Sequence, residues 1–356
     1  MKHLLDITDM SVSEIDALVN QAENIMKNRE AYAHALDGKT LATLFFEPST
    51  RTRLSFEAAM LELGGRVLGF SSADSSSAAK GETVGDTARV VSCFSDVIAM
   101  RHPKDGAARA AVASMHAAVP VINAGDGGHY HPTQTLTDLV TVHAEKGRLF
   151  GLKVGVVGDL KYGRTVHSLL NALLRYEGNS FVLISPRELR LPEYMLQAIK
   201  QKGGKAVETA DLQEYMSELD VLYMTRIQRE RFSDADEYER LKDSYVLTRD
   251  KLGSAKEDMI VMHPLPRVNE IAADVDKDSR AKYFEQVNYG KFARMSLLLT
   301  LLKDGGASGE TKLGGTLTQK SCPNPRCITN AEPSLEKLSI FDGGTERCAY
   351  CETSLD

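Results

Sequence analysis

The stretch Phe46-Glu47-Pro48-Ser49-Thr50-Arg51-Thr52-Arg53 places three hydroxyls and two guanidiniums between an apolar, β-like run over 41–46 and a helical pattern. That order suits an anion pocket. A helix N-terminus offers unpaired backbone N–H groups and a partial positive charge. Serine and threonine add short donors, and arginine adds a planar fork that matches phosphate. More polar groups fall where other apolar runs stop. They are Arg101 in Arg101-His102-Pro103, His131 and Gln134 in His131-Pro132-Thr133-Gln134, Arg164 beyond Gly158-Asp159, Arg226 and Gln228 after Tyr223-Met224-Thr225, and Leu265 in His263-Pro264-Leu265-Pro266. A loop of small residues over 75–83 carries Ser76 and Lys80.

Taken singly, each group has a plain structural reading: a capped helix, a solvated loop charge, a core histidine. Together, Arg51, Lys80, Arg101, Arg164 and Arg226 are cations at strand ends or in loops, positions that converge in α/β folds. A pocket with that many cations calls for several negative charges, a phosphate at one end and carboxylates at the other. The Gly158-Asp159 turn lacks a full GxGxxG, which disfavours a dinucleotide.

Positioning these groups falls to alternating strands and helices. Ser11-Val12-Ser13-Glu14 is a capping-box signature, and Ile15, Leu18, Val19, Ala22 and Met26 follow at helical spacing. Strand runs at 41–46, 66–70, 96–100 and 119–123 alternate with helical runs at 52–64, 82–93, 106–117 and 132–146. A second series opens at Gly151, with strands near 154–158, 181–185, 219–224 and 259–262, helices near 163–175 and 193–201, and a last helix over 280–303. The pattern predicts an α/β fold of two doubly wound parallel-sheet lobes. Residues 1–150 form the first, with part of the 280–303 helix packing back on it, and 151–303 the second. Gly- and Ser-rich residues 304–319 read as a flexible linker and 320–356 as a small C-terminal module.

A net charge of −6 over 356 residues argues against broad nucleic-acid binding. No secretory signal is visible, and no apolar run approaches the roughly 18 residues of a membrane span, so we expect a cytoplasmic protein without a membrane partner. Cys93, in an apolar helical stretch, reads as a core cysteine. Cys322 and Cys327 form a CxxxxC, and Cys348 and Cys351 a CxxC, with 20 residues between the pairs. Two such knuckles predict a structural Zn²⁺ in a four-sulfur site, which would fold a module too small to build its own core. Six carboxylates in the module (Glu332, Glu336, Asp342, Glu346, Glu352, Asp356) outnumber its four cations (Lys320, Arg326, Lys337, Arg347), a poor footprint for nucleic acid.

The Ser-Thr-Arg-Thr-Arg, His-Pro-Thr-Gln and His-Pro-Leu-Pro motifs together resemble the transcarbamoylase family over residues 1 to about 303. The ornithine branch has His-Cys-Leu-Pro and a Ser-Met-Gly loop; this chain has His263-Pro264-Leu265-Pro266 and no Ser-Met-Gly, and Thr225-Arg226-Ile227-Gln228 looks like the segment that binds aspartate. The resemblance implies carbamoyl transfer from carbamoyl phosphate to L-aspartate, the committed step of pyrimidine synthesis, by direct amine attack and without an organic cofactor. It assigns the phosphate to Ser49, Thr50, Arg51 and Thr52 with Arg101. Thr52, Arg101 and His131 would face the carbonyl oxygen, Gln134 and the Leu265 carbonyl would orient the amide, and Arg164, Arg226 and Gln228 would hold the carboxylates. It also implies a homotrimer with shared active sites, with Ser76 and Lys80 coming from a neighbouring chain to bind carbamoyl phosphate and Lys80 also binding aspartate and serving catalysis, and a mobile charged loop over 229–256. The module resembles the zinc domain of the same branch's regulatory chain, without the nucleotide-binding domain that normally precedes it, so nucleotide feedback through that domain is not expected. Docking of the module on catalytic subunits is. The alternatives are transfer to another amine such as ornithine, or a zinc-bearing scaffold without catalysis.

Overall fold

The computed structural model describes residues 2–115, 119–227, 235–241, 245–303, 313–342 and 344–356. The chain packs as two compact units, Met1–Thr133 with Lys291–Asp356, and Gln134–Gly290.

The first unit opens with α1 (Val12–Lys27). Its capping box forms as the sequence signals: the Ser11 hydroxyl accepts from Glu14 N, and the Glu14 carboxylate accepts from Ser11 N. Its apolar stripe, Ile15, Leu18, Val19, Ala22 and Ile25, is buried. Among the described residues a four-stranded parallel sheet follows, in the order β2-β1-β3-β4, from β1 (Thr40–Phe45), β2 (Arg66–Phe70), β3 (Val97–His102) and β4 (Val121–Asp126). Leu41 through Phe45 are buried without alternation, as expected of a parallel strand covered on both faces. The covering helices include α2 (Thr50–Glu62), α3 (Val84–Val91), α4 (Ala107–Ser114) and the C-terminal part of α9 (Tyr283–Lys303). Ser296 of α9 donates to Leu18 O at 2.8 Å. Strand order reverses between β1 and β3, where the register sets Phe45 opposite Arg101. A sheet of this kind binds ligands at that switch point, beyond the carboxyl ends of its strands.

The second unit carries a five-stranded parallel sheet among the described residues, β7-β6-β5-β8-β9, from β5 (Lys153–Val157), β6 (Ser180–Ile184), β7 (Lys205–Thr209), β8 (Val221–Met224) and β9 (Ile260–Met262). Its helices are α5 (Pro132–Lys146), which begins just after His131, α6 (Arg164–Leu173), α7 (Glu193–Gln201) and α8 (Ala235–Leu241). Its switch point lies between β5 and β8, with Val157 opposite Met224. Gly158 holds φ +114° there, and a Cβ on it would sit 2.5 Å from the Thr225 carbonyl oxygen, so only glycine lets the two strand ends approach this closely.

The α/β class with two parallel sheets thus matches the sequence reading. Two local readings do not. Strand β7 went unread, because it is an edge strand with Val207 as its one large apolar side chain. Cys93 is exposed rather than in the core: it lies just past the end of α3, and its apolar neighbours Val90 and Phe94 are also exposed. Gln228 and parts of the 229–256 and 304–319 segments lie outside the described residues.

Among the described residues the C-terminal module is a three-stranded antiparallel sheet, β10 (Thr316–Leu317), β11 (Leu338–Asp342) and β12 (Thr345–Cys348), with the short α10 (Ile328–Ala331). It packs within the first unit, where Ile328 and Tyr350 share one apolar cluster with Ala107, Ala108, Ala110 and Ala111 of α4.

Candidate active site and metal centre

In the first unit, β1 ends at Phe45 and α2 starts at Thr50, with Ser49 as its N-cap. The Ser49 hydroxyl makes no capping bond to its own helix, which leaves it to a ligand. Thr52 is buried, while Thr50 and Arg51 face outward. Arg53 is held by Glu57 at 2.7 Å. Phe46 N donates to Arg101 O at 2.9 Å, tying the start of this loop to the neighbouring strand end. The Arg101 guanidinium pairs with Glu47 at 2.7 Å, and its Nε is buried with no hydrogen-bond partner among the described residues. A buried donor in that state is a place for an anion. His102, beside it, packs edge-on against Phe46, and burial lowers it to about 4, so it stays neutral. The segment bearing Ser76 and Lys80 is anchored next to the same strand end, with Ala73 N donating to Phe46 O at 3.3 Å. Ser76 caps the short turn Ser77–Lys80, and Lys80 is exposed.

His131 closes the loop that leaves β4, and it is buried. Asp126, at the end of β4, shapes that loop: its carboxylate accepts from Gly106 N, Asn123 Nδ2, Tyr130 N and His129 Nδ1 at 2.8–3.1 Å. Burial alone would lower His129, but its hydrogen bond to Asp126 and the nearby Glu352 carboxylate outweigh it and lift the imidazole to about 9. The sequence offered no sign of Asp126, a charge among glycines that acts only once the loop is folded.

In the second unit, Arg164 opens α6 after β5 and Arg226 follows β8, so both stand at the switch point. Thr225 joins these ends, accepting from Asp159 N and donating to Val157 O. Gln134 and Leu265 stand at the half-buried ends of one hydrogen-bond network. Gln134 Nε2 donates to Asp138 at 2.8 Å, and Gln286 Nε2 donates to the same oxygen at 2.7 Å. Gln286 Oε1 accepts from His263 N at 3.0 Å. Leu265 N donates to His263 Nδ1 at 2.7 Å, which fixes the tautomer: Nε2 carries the proton and donates to Glu270 at 2.7 Å. This clasp holds Leu265 at φ +50°, a left-handed position that a leucine does not adopt unaided.

The Sγ atoms of Cys322, Cys327, Cys348 and Cys351 all lie within 4.8 Å of one another. Two pairs are 3.4 and 3.8 Å apart, far beyond a disulfide bond and close to the roughly 3.8 Å edge of a tetrahedron with 2.3 Å metal–sulfur bonds. Four cysteine sulfurs gathered this closely would crowd their charge as thiolates, for which a divalent cation is the natural counter-charge. The donor set fits a metal.

Beside the metal centre the module grips three segments of the first unit. Asp105 N donates to Arg326 O at 2.9 Å, Ile328 N donates to Asp105 O at 3.0 Å, and Asn324 Nδ2 reaches the Asp105 carboxylate at 2.9 Å. Glu332 accepts from Val84 N at 2.7 Å, capping α3 just beyond the Lys80 turn. Glu352 meets Arg109, Tyr130 and His129. Burial would raise the Glu352 carboxyl, but the nearby His129, the Arg109 charge and the Tyr130 hydrogen bond hold it down to about 2.

Residues 2–144 match the carbamoyl phosphate-binding domain of aspartate/ornithine carbamoyltransferases, and 150–301 match the aspartate/ornithine-binding domain of the same family. Residues 320–356 match the metal-binding domain of the aspartate carbamoyltransferase regulatory chain. Relatives named aspartate carbamoyltransferase catalytic subunit include one from Lachnoclostridium phytofermentans, 59% identical over 303 residues, 85% of this chain and 98% of the relative. One from Clostridium kluyveri is 56% identical over 301 residues with the same coverage. The catalytic subunit of M. jannaschii aspartate transcarbamoylase superposes with TM-score 0.80 at 48% identity, covering 86% of this chain and 99% of that one. The Trypanosoma cruzi aspartate transcarbamoylase in complex with carbamoyl phosphate and aspartate gives TM-score 0.79 at 40% identity, covering 84% and 96%.

Proposed function

The chain belongs to the aspartate/ornithine carbamoyltransferase family, and we infer that it transfers the carbamoyl group of carbamoyl phosphate to L-aspartate, giving N-carbamoyl-L-aspartate and phosphate. The observation that carries the reading is the strand register that sets the hydroxyl- and arginine-bearing start of α2 beside Arg101, at the switch point of a parallel sheet. Ser49, Thr50, Arg51, Thr52 and Arg101 hold the phosphate. Thr52, Arg101 and His131 point donors at the carbonyl oxygen, where charge grows as the amine attacks; one such donor contributes about 3–4 kcal/mol to lowering the barrier. Gln134 and the Leu265 carbonyl orient the carbamoyl amide, a task supported by the network that joins them. Arg164 and Arg226, with Gln228, take the aspartate carboxylates. Fixing both reactants in line supplies roughly 7–11 kcal/mol of the acceleration. The attacking amine is neutral, and the departing phosphate accepts its proton.

Two arginines suit a dicarboxylic acceptor and repel the side-chain ammonium of ornithine. Ser76 and Lys80, on an outward-facing turn, complete a neighbouring chain's site in a cytoplasmic homotrimer. The four thiolates hold zinc, which would supply folding free energy to the module and keep no open position for chemistry. The test is a colorimetric assay of the full chain with carbamoyl phosphate and either L-aspartate or L-ornithine. Turnover with aspartate alone is expected. Turnover with ornithine alone refutes the acceptor, and turnover with neither leaves only a metal-bearing scaffold.

A further inference from the structure

We propose that Glu352, in the metal module, is a positioning residue for carbamoyl transfer, acting on His131 through Tyr130 and His129. The proposal rests on the reading that His131 faces the carbamoyl oxygen.

Glu352 directly follows the last cysteine and holds φ +58°, a left-handed position sustained only by strong surroundings. One carboxylate oxygen lies 2.6 Å from Arg109 Nη2. The other accepts from the Tyr130 hydroxyl at 2.6 Å and lies 3.5 Å from His129 Nε2. Tyr130 and His129 are the two residues before His131. On the opposite side of the same loop, Asp126 holds the Tyr130 main chain and His129 Nδ1, and Gly128 N donates to Asp105, the residue the module also grips. The loop is therefore clamped twice. Asp126 fixes its backbone and His129 Nδ1 from within the lobe, and Glu352 fixes the Tyr130 side chain and sets a charge against His129 from outside it.

Adhesion alone does not call for this arrangement. Ile328, Tyr350 and the Asp105 backbone pairing already join the module to α4 and its loop. Burying a carboxylate, a guanidinium, an imidazole and a phenol together gains little net stability, but it admits one geometry and excludes others. That geometry ends one residue from His131.

The test uses the full chain, with metal content, kcat and both KM values measured on each preparation. Glu352→Ala is expected to lower kcat about 10- to 100-fold, since small displacements of a catalytic group cost that much. Metal content should stay that of the wild type and KM for L-aspartate should stay within about twofold. Glu352→Gln should recover most of the loss, because an amide can accept from Arg109 and donate to the Tyr130 oxygen. Tyr130→Phe breaks the same link from the other side, and Glu352→Ala with Tyr130→Phe should be no slower than the slower single variant. A metal-replete Glu352→Ala enzyme with kcat within about twofold of wild type overturns the proposal, as does a loss that tracks lost metal, or losses that multiply in the double variant. A wild type that transfers nothing defeats the functional reading; an active wild type with an indifferent Glu352→Ala variant defeats this inference alone.

Discussion

Replacing Glu270 with glutamine preserves size and removes one charge, and the geometry dictates where the harm falls. One oxygen of Glu270 accepts from His263 Nε2 at 2.7 Å, and the other accepts from Val268 N and Asn269 N at 3.0 and 3.1 Å. The two backbone donors cannot turn, so glutamine must offer them its oxygen and aim its amide at the His263 Nε2–H. Donor then faces donor. The ring can escape by changing tautomer, but Nδ1–H then faces the Leu265 N–H, now 2.7 Å from it. Either outcome leaves a buried donor unmet, a cost of about 1–3 kcal/mol. For a lobe of this size, about 2 kcal/mol lowers the melting temperature by roughly 4–8 °C. Leu265 can relax from its left-handed conformation, which limits the stability loss and moves its carbonyl. We therefore expect kcat for transfer to fall about tenfold or more.

Acidification provides an internal control. Burial would raise the Glu270 carboxyl, but the His263 hydrogen bond and the backbone donors outweigh burial and hold it below its ordinary value. Its contribution to stability is thus complete above the unfolded carboxyl value of about 4.3 and is lost as pH falls through the lower folded one. The gap between wild type and Glu270→Gln, measured by calorimetry, should narrow on acidification below that point. A variant that melts with the wild type at pH 7 and retains kcat within about twofold refutes the argument that this clasp holds Leu265.

Three further outcomes are expected. The native chain should release one divalent metal when its thiols are titrated with a mercurial, read with a metal indicator dye, and proteolysis should then begin within 313–356; a metal-free native preparation contradicts the four-thiolate site. Gly106→Ala should loosen the module, because Gly106 holds φ +84° and a methyl there would lie 2.7 Å from the Tyr350 carbonyl carbon and oxygen; faster hydrogen exchange around Tyr350 would report it, and unchanged exchange would count against the contact. Asp278 is held down to about 2, chiefly by its hydrogen bond from Arg280, so Asp278→Asn should be less stable than wild type at neutral pH by a margin that shrinks between about pH 4 and 2; a margin constant across that range in denaturant titrations would exclude the linkage.

Much of the candidate site's placement was legible because parallel α/β sheets deliver their loops to one end. Reading where apolar runs stop was enough to single out Ser49 to Thr52, Arg101, Arg164 and Arg226, and the structure places all of them at strand ends or helix starts. The cysteine spacing was legible for a similar reason, since four thiols need few contacts beyond their own cluster. Asp126, Glu270 and Glu352 were not legible. Each is a single carboxylate whose meaning comes from donors assembled by the fold, and the Tyr130 hydroxyl that meets Glu352 is 222 positions away in sequence. Strand β7 escaped because its exposed edge removes the apolar pattern that identifies its neighbours. Cys93 misled because apolar neighbours imply burial only when they are themselves covered.

The covalent connection explains why so polar an interface can serve. A free partner would have to meet the cost of association before any buried charge pair contributed, and such pairs add little net affinity. A tethered module meets its surface at an effective concentration of about millimolar, so adhesion asks little of each contact. Ile328 and Tyr350 merge with the apolar face of α4, and the metal site fixes the segments that present them. The remaining contacts are then free to set register rather than strength. Two of them, Glu332 at the start of α3 and Glu352 beside Tyr130, are carboxylates aimed at the segments next to Lys80 and His131. A module selected only to cling would have no reason to place its charges there.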